Sequence, residues 1–450
     1  MMREPNQCLA QVMRRADCTN KGLARRVADV AASHGAEVGY SHVNVKRWLD
    51  GAQPRGMTPV FIAEALARKL GHPVSLADIG MSATDSATAI SSSGYPADLQ
   101  HGVDAISALA RADLTGSFAV TTNIDTKSWS DAMVRWLIAP DVASDREILG
   151  SIDVSVEGVQ LATAMFSQLD YKFGGGYARS SLTQYISSEV APLLSTQPNR
   201  QPPELLSAAA ALLRLAGWTA YDTGRHGLCH SYMLQALHLT EVAGDRALGG
   251  RILAGMSHQA NFLGQYDHAV NLARAAQRGA AGIATPTAMA LFKAMEARAL
   301  AARGDRKDCE AALSQAEQWL EKRVPANDPI WLGYFDEAEL AAEFAHSYRD
   351  LGMSEKAITY ADRAISLHGP MYVRSVSFCK AVAAAGHVGA GEVDKGIVLA
   401  AEAVAVISTL KSSRCNSYIR DFVQRLTPHQ QHKPVADFIA RTELLVSGTC

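Results

Sequence analysis

Aromatic side chains, paired cysteines and long apolar runs are all scarce in this 450-residue chain. Aromatics make up 7% of the residues while apolar types reach 48%, which suits close packing of helices through small side chains and does not suit disorder. The seven cysteines (Cys8, Cys18, Cys229, Cys309, Cys379, Cys415 and Cys450) are odd in number, scattered and never spaced as CxxC. That argues against a zinc site or a disulfide framework and for reduced thiols. No stretch approaches the ~18 uninterrupted apolar residues of a membrane span, and Arg14 and Arg15 fall where a secretory peptide would carry its apolar core. A soluble cytoplasmic protein with no membrane partner is expected. No serine-histidine-acid order, paired-carboxylate motif or metalloprotease motif can be recognised, so a binding protein is expected, without catalysis, cofactor or metal.

The length exceeds what one hydrophobic core organises and suggests several domains or an extended repeat array. The net charge of -2 conceals an asymmetry: residues 1–80 carry 11 Lys+Arg against 7 Asp+Glu, and the remainder is acidic. A basic head on an acidic body fits contact with DNA through the head alone.

Internal periodicity decides the fold of the body. Glycines recur at Gly224, Gly264, Gly304, Gly352 and Gly391. Five residues after each stands Cys229, Ala269, Cys309, Ala357 or Gly396; twelve after, Ala236, Ala276, Ala316, Ala364 or Ala403; seven before, Gly217, Ser257, Ala297, Ala345 or Ala384. All of these are small. The register resembles the tetratricopeptide repeat, in which two antiparallel helices approach closely and a glycine closes the turn between them. The expected architecture is all-α, with an N-terminal helix-turn-helix domain and a C-terminal tetratricopeptide-like solenoid of five repeats over 205–410. A helical connecting region over 101–204 would precede the array and capping helices over 411–450 would follow it.

In such an array the first helix of each pair lines a concave surface. The register places Trp218, Tyr221 and Asp222 there in the first repeat, and His258, Asn261 and Phe262 in the second. The fourth adds His346, Arg349 and, one helical row earlier, Glu339. Together they predict a groove for a peptide, a small ligand or a protein partner.

Residues 1–80 read as four short helices. The first spans Gln7 to Arg15, the second runs from an Asn20 cap to Gly35, the third follows Ser41, and the fourth has Thr58 as cap and Pro59 at its first position. The segment from Ser41 to Gly51, followed by Pro54 and Arg55, resembles the recognition helix and exit turn of the XRE-like (phage repressor-like) helix-turn-helix family. Val45, Trp48 and Leu49 would face inward. The resemblance implies DNA as partner, with Ser41, His42, Asn44, Lys46 and Arg47 turned toward the major groove and Arg14, Arg15, Lys21, Arg25, Arg26 and Arg55 toward phosphates. About ten residues separate the second and third helices, more than the family's short turn.

Residues 82–97 are small and polar, which marks a linker within 81–100. From 98 to about 145 only short apolar pieces are legible, including Trp129 and Trp136, and 146–195 reads as two helices. Between those two lie Gly174, Gly175 and Gly176, which lack the Gly-Lys-Ser/Thr ending of a phosphate loop and predict a tight turn, with Arg179 free to meet an anion at the next helix. His226 and His230 share a helical face but fall at a repeat turn, so solvated histidines are expected rather than metal ligands.

The basic head, the linker, the run from Leu169 to Arg179, the run from Ala216 to Gly227 and the run from Tyr334 to Leu340 together resemble streptomycete regulators with tetratricopeptide bodies, the NsdA-like group. The resemblance covers nearly the full length and implies a transcription-linked regulator of sporulation or antibiotic production. By architecture alone the chain is also similar to peptide-pheromone receptors, which implies a homodimer and a peptide in the groove held by Asn261, Arg349 and Glu339. The alternative from the residues is a protein-interaction scaffold whose head no longer binds DNA.

Overall fold

The computed structural model describes residues 5–33, 39–54, 58–70, 74, 76, 78–81, 94–115, 124, 126–140 and 154–447. Every regular element among them is helical. The chain divides into two units, 1–93 with 111–121 and 94–110 with 122–450.

The first unit holds α1 (Gln7–Arg15), α2 (Asn20–Ser33), α3 (His42–Leu49) and α4 (Thr58–Leu70). Leu23, Val27, Val45, Ile62 and Leu66 are fully buried in one core, with Leu9 and Trp48 beside them. Asn6 ties the unit together. Its Oδ1 accepts from the Leu9 amide at 2.9 Å and caps α1, its Nδ2 donates to the Ile79 carbonyl at 2.8 Å, and its amide donates to the Leu49 carbonyl at the end of α3. The cap of α2 is Thr19, whose Oγ1 accepts from the Gly22 amide at 3.1 Å; Asn20, expected in that role, is the first helical residue. The turn between α2 and α3 and the residue Arg55 lie largely or wholly outside the described residues.

In the second unit come α5 (Leu99–Leu114, at the division between the units), α6 (Thr126–Ile138), α7 (Val154–Phe173), α8 (Arg179–Tyr185) and, after one π-helical turn, α9 (Ala191–Ser195). Five helical pairs follow: α10 (Pro203–Asp222) with α11 (His226–Ala243), α12 (Arg246–Phe262) with α13 (Tyr266–Gly279), α14 (Pro286–Arg303) with α15 (Arg306–Glu321), α16 (Glu337–Asp350) with α17 (Ser354–Leu367), and α18 (Val373–Gly389) with α19 (Val393–Ile407). A last pair, α20 (Ser413–Leu426) and α21 (Lys433–Ser447), continues the stack. This is an all-α solenoid.

The repeating glycines close the turn of each pair with φ between +70° and +90°, a region that a Cβ penalises. The small columns pair across each hairpin. A Cβ on Gly217 would meet the Cys229 carbonyl at 3.2 Å, one on Gly396 would meet the Ala384 carbonyl at 2.9 Å, and Ser257 donates to the Ala269 carbonyl at 2.8 Å. The residue seven before the glycine thus faces the residue five after it, which is why both columns stay small.

The stretch that shows only short apolar pieces in sequence forms α5 and α6. Helix α6 packs on α11, α12 and α13, with Trp129 and Trp136 buried. Trp136 lies in a slot made by two absent side chains: a Cβ on Gly249 would stand 2.4 Å, and one on Gly279 2.1 Å, from its ring. The Arg246 guanidinium stacks over the same ring at 5.1 Å and donates to the carbonyls of Trp136 and Ala139. Helix α7 packs on α10, in the first repeat, and on α18, in the fifth.

Gly279→Ala is therefore expected to displace Trp136 and to cost about 1–3 kcal/mol in urea unfolding, with a changed tryptophan emission. Unchanged stability and emission would show that the slot does not hold the indole this tightly.

Candidate functional site

The first helices of the repeats, with α7, the Tyr334 loop and α20, surround a cavity enclosing about 930 Å³ of space free of protein atoms, including solvent at its mouth. Its wall carries five arginines: Arg214 on α10, Arg251 on α12, Arg298 on α14, Arg374 on α18 and Arg414 on α20, each 8% exposed or less. Burying so many guanidinium groups is costly unless each meets a carboxylate. For three of them the structure supplies one.

Arg374 is the centre of that pairing. It donates to both carboxylate oxygens of Asp170 on α7, at 2.9 and 2.8 Å, and lies 3.0 Å from Asp222 on α10. Arg414 approaches the other Asp222 oxygen at 3.5 Å and stacks over Trp218, Tyr221 and Phe378. Asp222 also accepts from the Gly175 amide at 2.8 Å. The triple glycine delivers that amide: a Cβ at Gly175 would meet Asp222 Cβ at 2.8 Å, and Gly176 donates to the Lys411 carbonyl while Lys411 donates back to Phe173. Arg298 donates to Glu343 at 2.7 Å.

The groove residues expected from the glycine register divide. Trp218, His258, Glu339 and His346 line the cavity. Tyr221 lies behind the wall, fully buried, with its hydroxyl 3.0 Å from His258 Nδ1. Asp222, also fully buried, is the ion-pair partner just described. Arg349 is held by Asp350 at 2.6 Å and stacks over Tyr418. Asn261 and Phe262 stand at the glycine end of α12, where the Phe262 ring packs on Tyr221 and His226. Arg179, expected to be free for an anion, is buried and donates to the Ala216 carbonyl and Thr219 Oγ1. His230 is not solvated as expected: the α6 docking that sequence leaves illegible buries it against Ser128, 2.6 Å from its Nε2. His226, half-buried, packs beside Tyr221 and Phe262 instead of standing free in solvent.

Asp170, Tyr171, Arg214, Arg251, Tyr334, Glu343, Arg374 and Arg414 escape the sequence reading. Their signal is the same helical face continued away from the glycine. Arg214 is ten residues before Gly224, Arg251 thirteen before Gly264 and Arg374 seventeen before Gly391, one to three turns beyond the row at six. Asp170, Tyr171 and Arg414 come from helices outside the five repeats and carry no such register.

Burial sets the ionisation of the wall. His258 and His346 are held well below the usual histidine range, first by burial and then by the arginine charges nearest them, so both are neutral at pH 7. Glu339 is pushed up to about 8 by burial, then by the charges of Glu343 and Asp336, against the opposing pull of Arg374 and Arg414. His368 lies 3.8 Å from it and is itself shifted down by burial, so the two meet as neutral groups near pH 7. The thiols of Cys309 and Cys415 are pushed up to about 12 and about 11 by burial, which keeps them protonated.

On α3 of the first unit, Val45 and Trp48 are buried while Ser41, His42, Lys46 and Arg47 are exposed; Lys21 and Arg25 are exposed on α2. Asn44 is partly committed to local structure: its Oδ1 accepts from the Ser41 amide at 2.9 Å and from the Ser41 hydroxyl at 2.8 Å, which fixes the start of α3.

Residues 9–82 match the family described as the SP15 N-terminal domain. Among solved structures, aspartyl phosphate phosphatase F from Bacillus subtilis is similar over 66% of this chain and 95% of its own, at 12% identity and a TM-score of 0.34. No curated protein matches the chain.

Because the folded-state pKa of Glu339 lies above the ordinary carboxylate value, the folded protein keeps a proton there that the unfolded chain releases. The stability this confers is complete below that ordinary value and is lost as pH rises through about 8. Glu339→Gln is expected to flatten the fall in melting temperature between the ordinary carboxylate value and about pH 8, and to be the more stable form by about 1 kcal/mol or more at the upper end. Parallel pH profiles of the two proteins would refute this ionisation.

Proposed function

We propose that the chain is a non-catalytic regulator whose first unit binds DNA and whose repeat array senses a small ligand or peptide in its cavity. The observation that carries the DNA reading is the two-sided character of α3. Its apolar side is sealed in the core, and its other side presents His42, Lys46 and Arg47 to solvent, with Lys21 and Arg25 exposed on the helix before it. Such a face offers donors to base edges and cations to phosphates. The resemblance to XRE-like helix-turn-helix domains, and to streptomycete developmental regulators, points the same way.

The sensing reading rests on the cavity: a space walled by helices from separate repeats and lined by charged side chains together with apolar ones such as Leu215, Leu291 and Met295. A ligand touching several repeats at once bears on how they stack, which is the means by which an array can respond.

Full-length protein is expected to bind duplex DNA with an affinity that falls steeply with salt, and Arg47→Ala to weaken binding and reduce the salt slope by about 1. Fluorescence anisotropy on genomic promoter fragments measures both. If neither wild type nor variant binds any fragment in a salt-sensitive manner, the first unit is a protein-interaction module instead, and the scaffold reading replaces this one.

A further inference from the structure

Two of the five cavity arginines are left without an acid. Among the described residues no carboxylate lies within 4 Å of the Arg214 or Arg251 guanidinium, and the Nε of each has no hydrogen-bond partner. Arg214 is 7% and Arg251 6% exposed, so both guanidinium groups are largely withdrawn from bulk water. They are also near one another: burial and then the Arg251 charge push Arg214 down to about 10, which still leaves it cationic at pH 7. Arg251 stacks on the Tyr334 ring at 5.3 Å, and Tyr171 packs against Tyr334 at 6.2 Å and Tyr372 at 5.4 Å.

The other charges on the wall are matched. Arg298 is paired with Glu343, and Arg374 and Arg414 with Asp170 and Asp222. Glu339, the remaining acid, carries a proton near neutral pH and adds no negative charge. The enclosed space therefore faces about two uncompensated positive charges, held on stiff helices of adjacent repeats. Guanidinium forks suit planar or tetrahedral oxyanions, and an aromatic wall beside them suits the body of a small organic molecule.

We propose that Arg214 and Arg251 form the receptor for the oxyanion group of a small phosphorylated or carboxylated metabolite, whose body rests against Tyr171, Tyr334 and Tyr372. This rests on the reading of the cavity as the sensory site and gives it a ligand class. The anion supplies the charge that the fold withholds, so binding is coupled to the stability of the first two repeats.

The test uses the full chain, with thermal unfolding and calorimetry in sodium phosphate, sodium succinate and, at matched ionic strength, sodium chloride, together with the variants Arg214→Met and Arg251→Met. Replacing an unpaired buried charge by an apolar side chain of similar length removes repulsion and desolvation cost. Both variants are therefore expected to fold and to melt no lower than wild type in chloride, whereas a purely structural arginine would lower melting when removed. Phosphate or succinate is expected to raise the wild-type melting temperature over chloride, and each variant to bind the same anion at least about tenfold more weakly. A response to phosphate alone assigns a phosphoryl ligand, and a response to succinate alone a carboxylate one. The proposal is overturned if neither anion acts differently from chloride, or if both variants retain the full response. A set of end-blocked, uncharged pentapeptides separates this failure from that of the sensory reading: binding of such peptides without any anion response leaves the cavity a sensor of another ligand, and no binding of either kind removes both.

Discussion

The second unit depends on one buried carboxylate–guanidinium cluster, in which Asp170 of α7 and Asp222 of α10 share Arg374 of α18. A solenoid propagates through contacts between neighbours and has no intrinsic reason to bring its first and fifth repeats together. Here α7 packs against both, and the cluster fixes it at the point where they meet. Arg414 adds α20 to the same cluster, and the Gly175 amide adds the loop after α7. The array is thereby closed around its inner helices, and the groove expected of a repeat protein becomes a walled cavity.

The same closure explains the chemistry of the wall. Once the inner faces are withdrawn from bulk water, an unmatched charge is costly. The histidines lose their protons, Glu339 keeps one, and the arginines divide into a group satisfied by the fold and a pair that is not. A fold with no use for that pair would gain by replacing it with apolar side chains. Its presence in the wall is the physical argument for a ligand that brings negative charge.

Much of the architecture is legible in the sequence because it is local. Positive-φ glycines and small residues at fixed offsets each act within one hairpin, so their spacing alone predicts the pairs. The inward stripe of α3, with Val45 and Trp48, is local in the same sense. What escapes depends on distant partners. Nothing near Trp136 announces that its ring will fill a slot at Gly249 and Gly279, more than a hundred residues away. Asp170 and Arg374 are 204 positions apart. The site was half legible for a related reason: the register identifies the correct face, and Trp218, His258 and His346 lie on it, but the charged centre sits one to three turns farther along, where no repeated residue marks the row.

The central claim, that the Asp170–Arg374 pair holds α7 across the array and so closes the cavity, is tested most directly by hydrogen exchange of the Asp170→Asn variant. The substitution preserves shape and removes the charge. The account predicts that the amides of Val154–Phe173 exchange about tenfold faster or more, a loss of about 1.4 kcal/mol in local protection, while those of α14 and α15 are unchanged. Unaltered protection of α7, or a uniform loss through all the repeats, would contradict it.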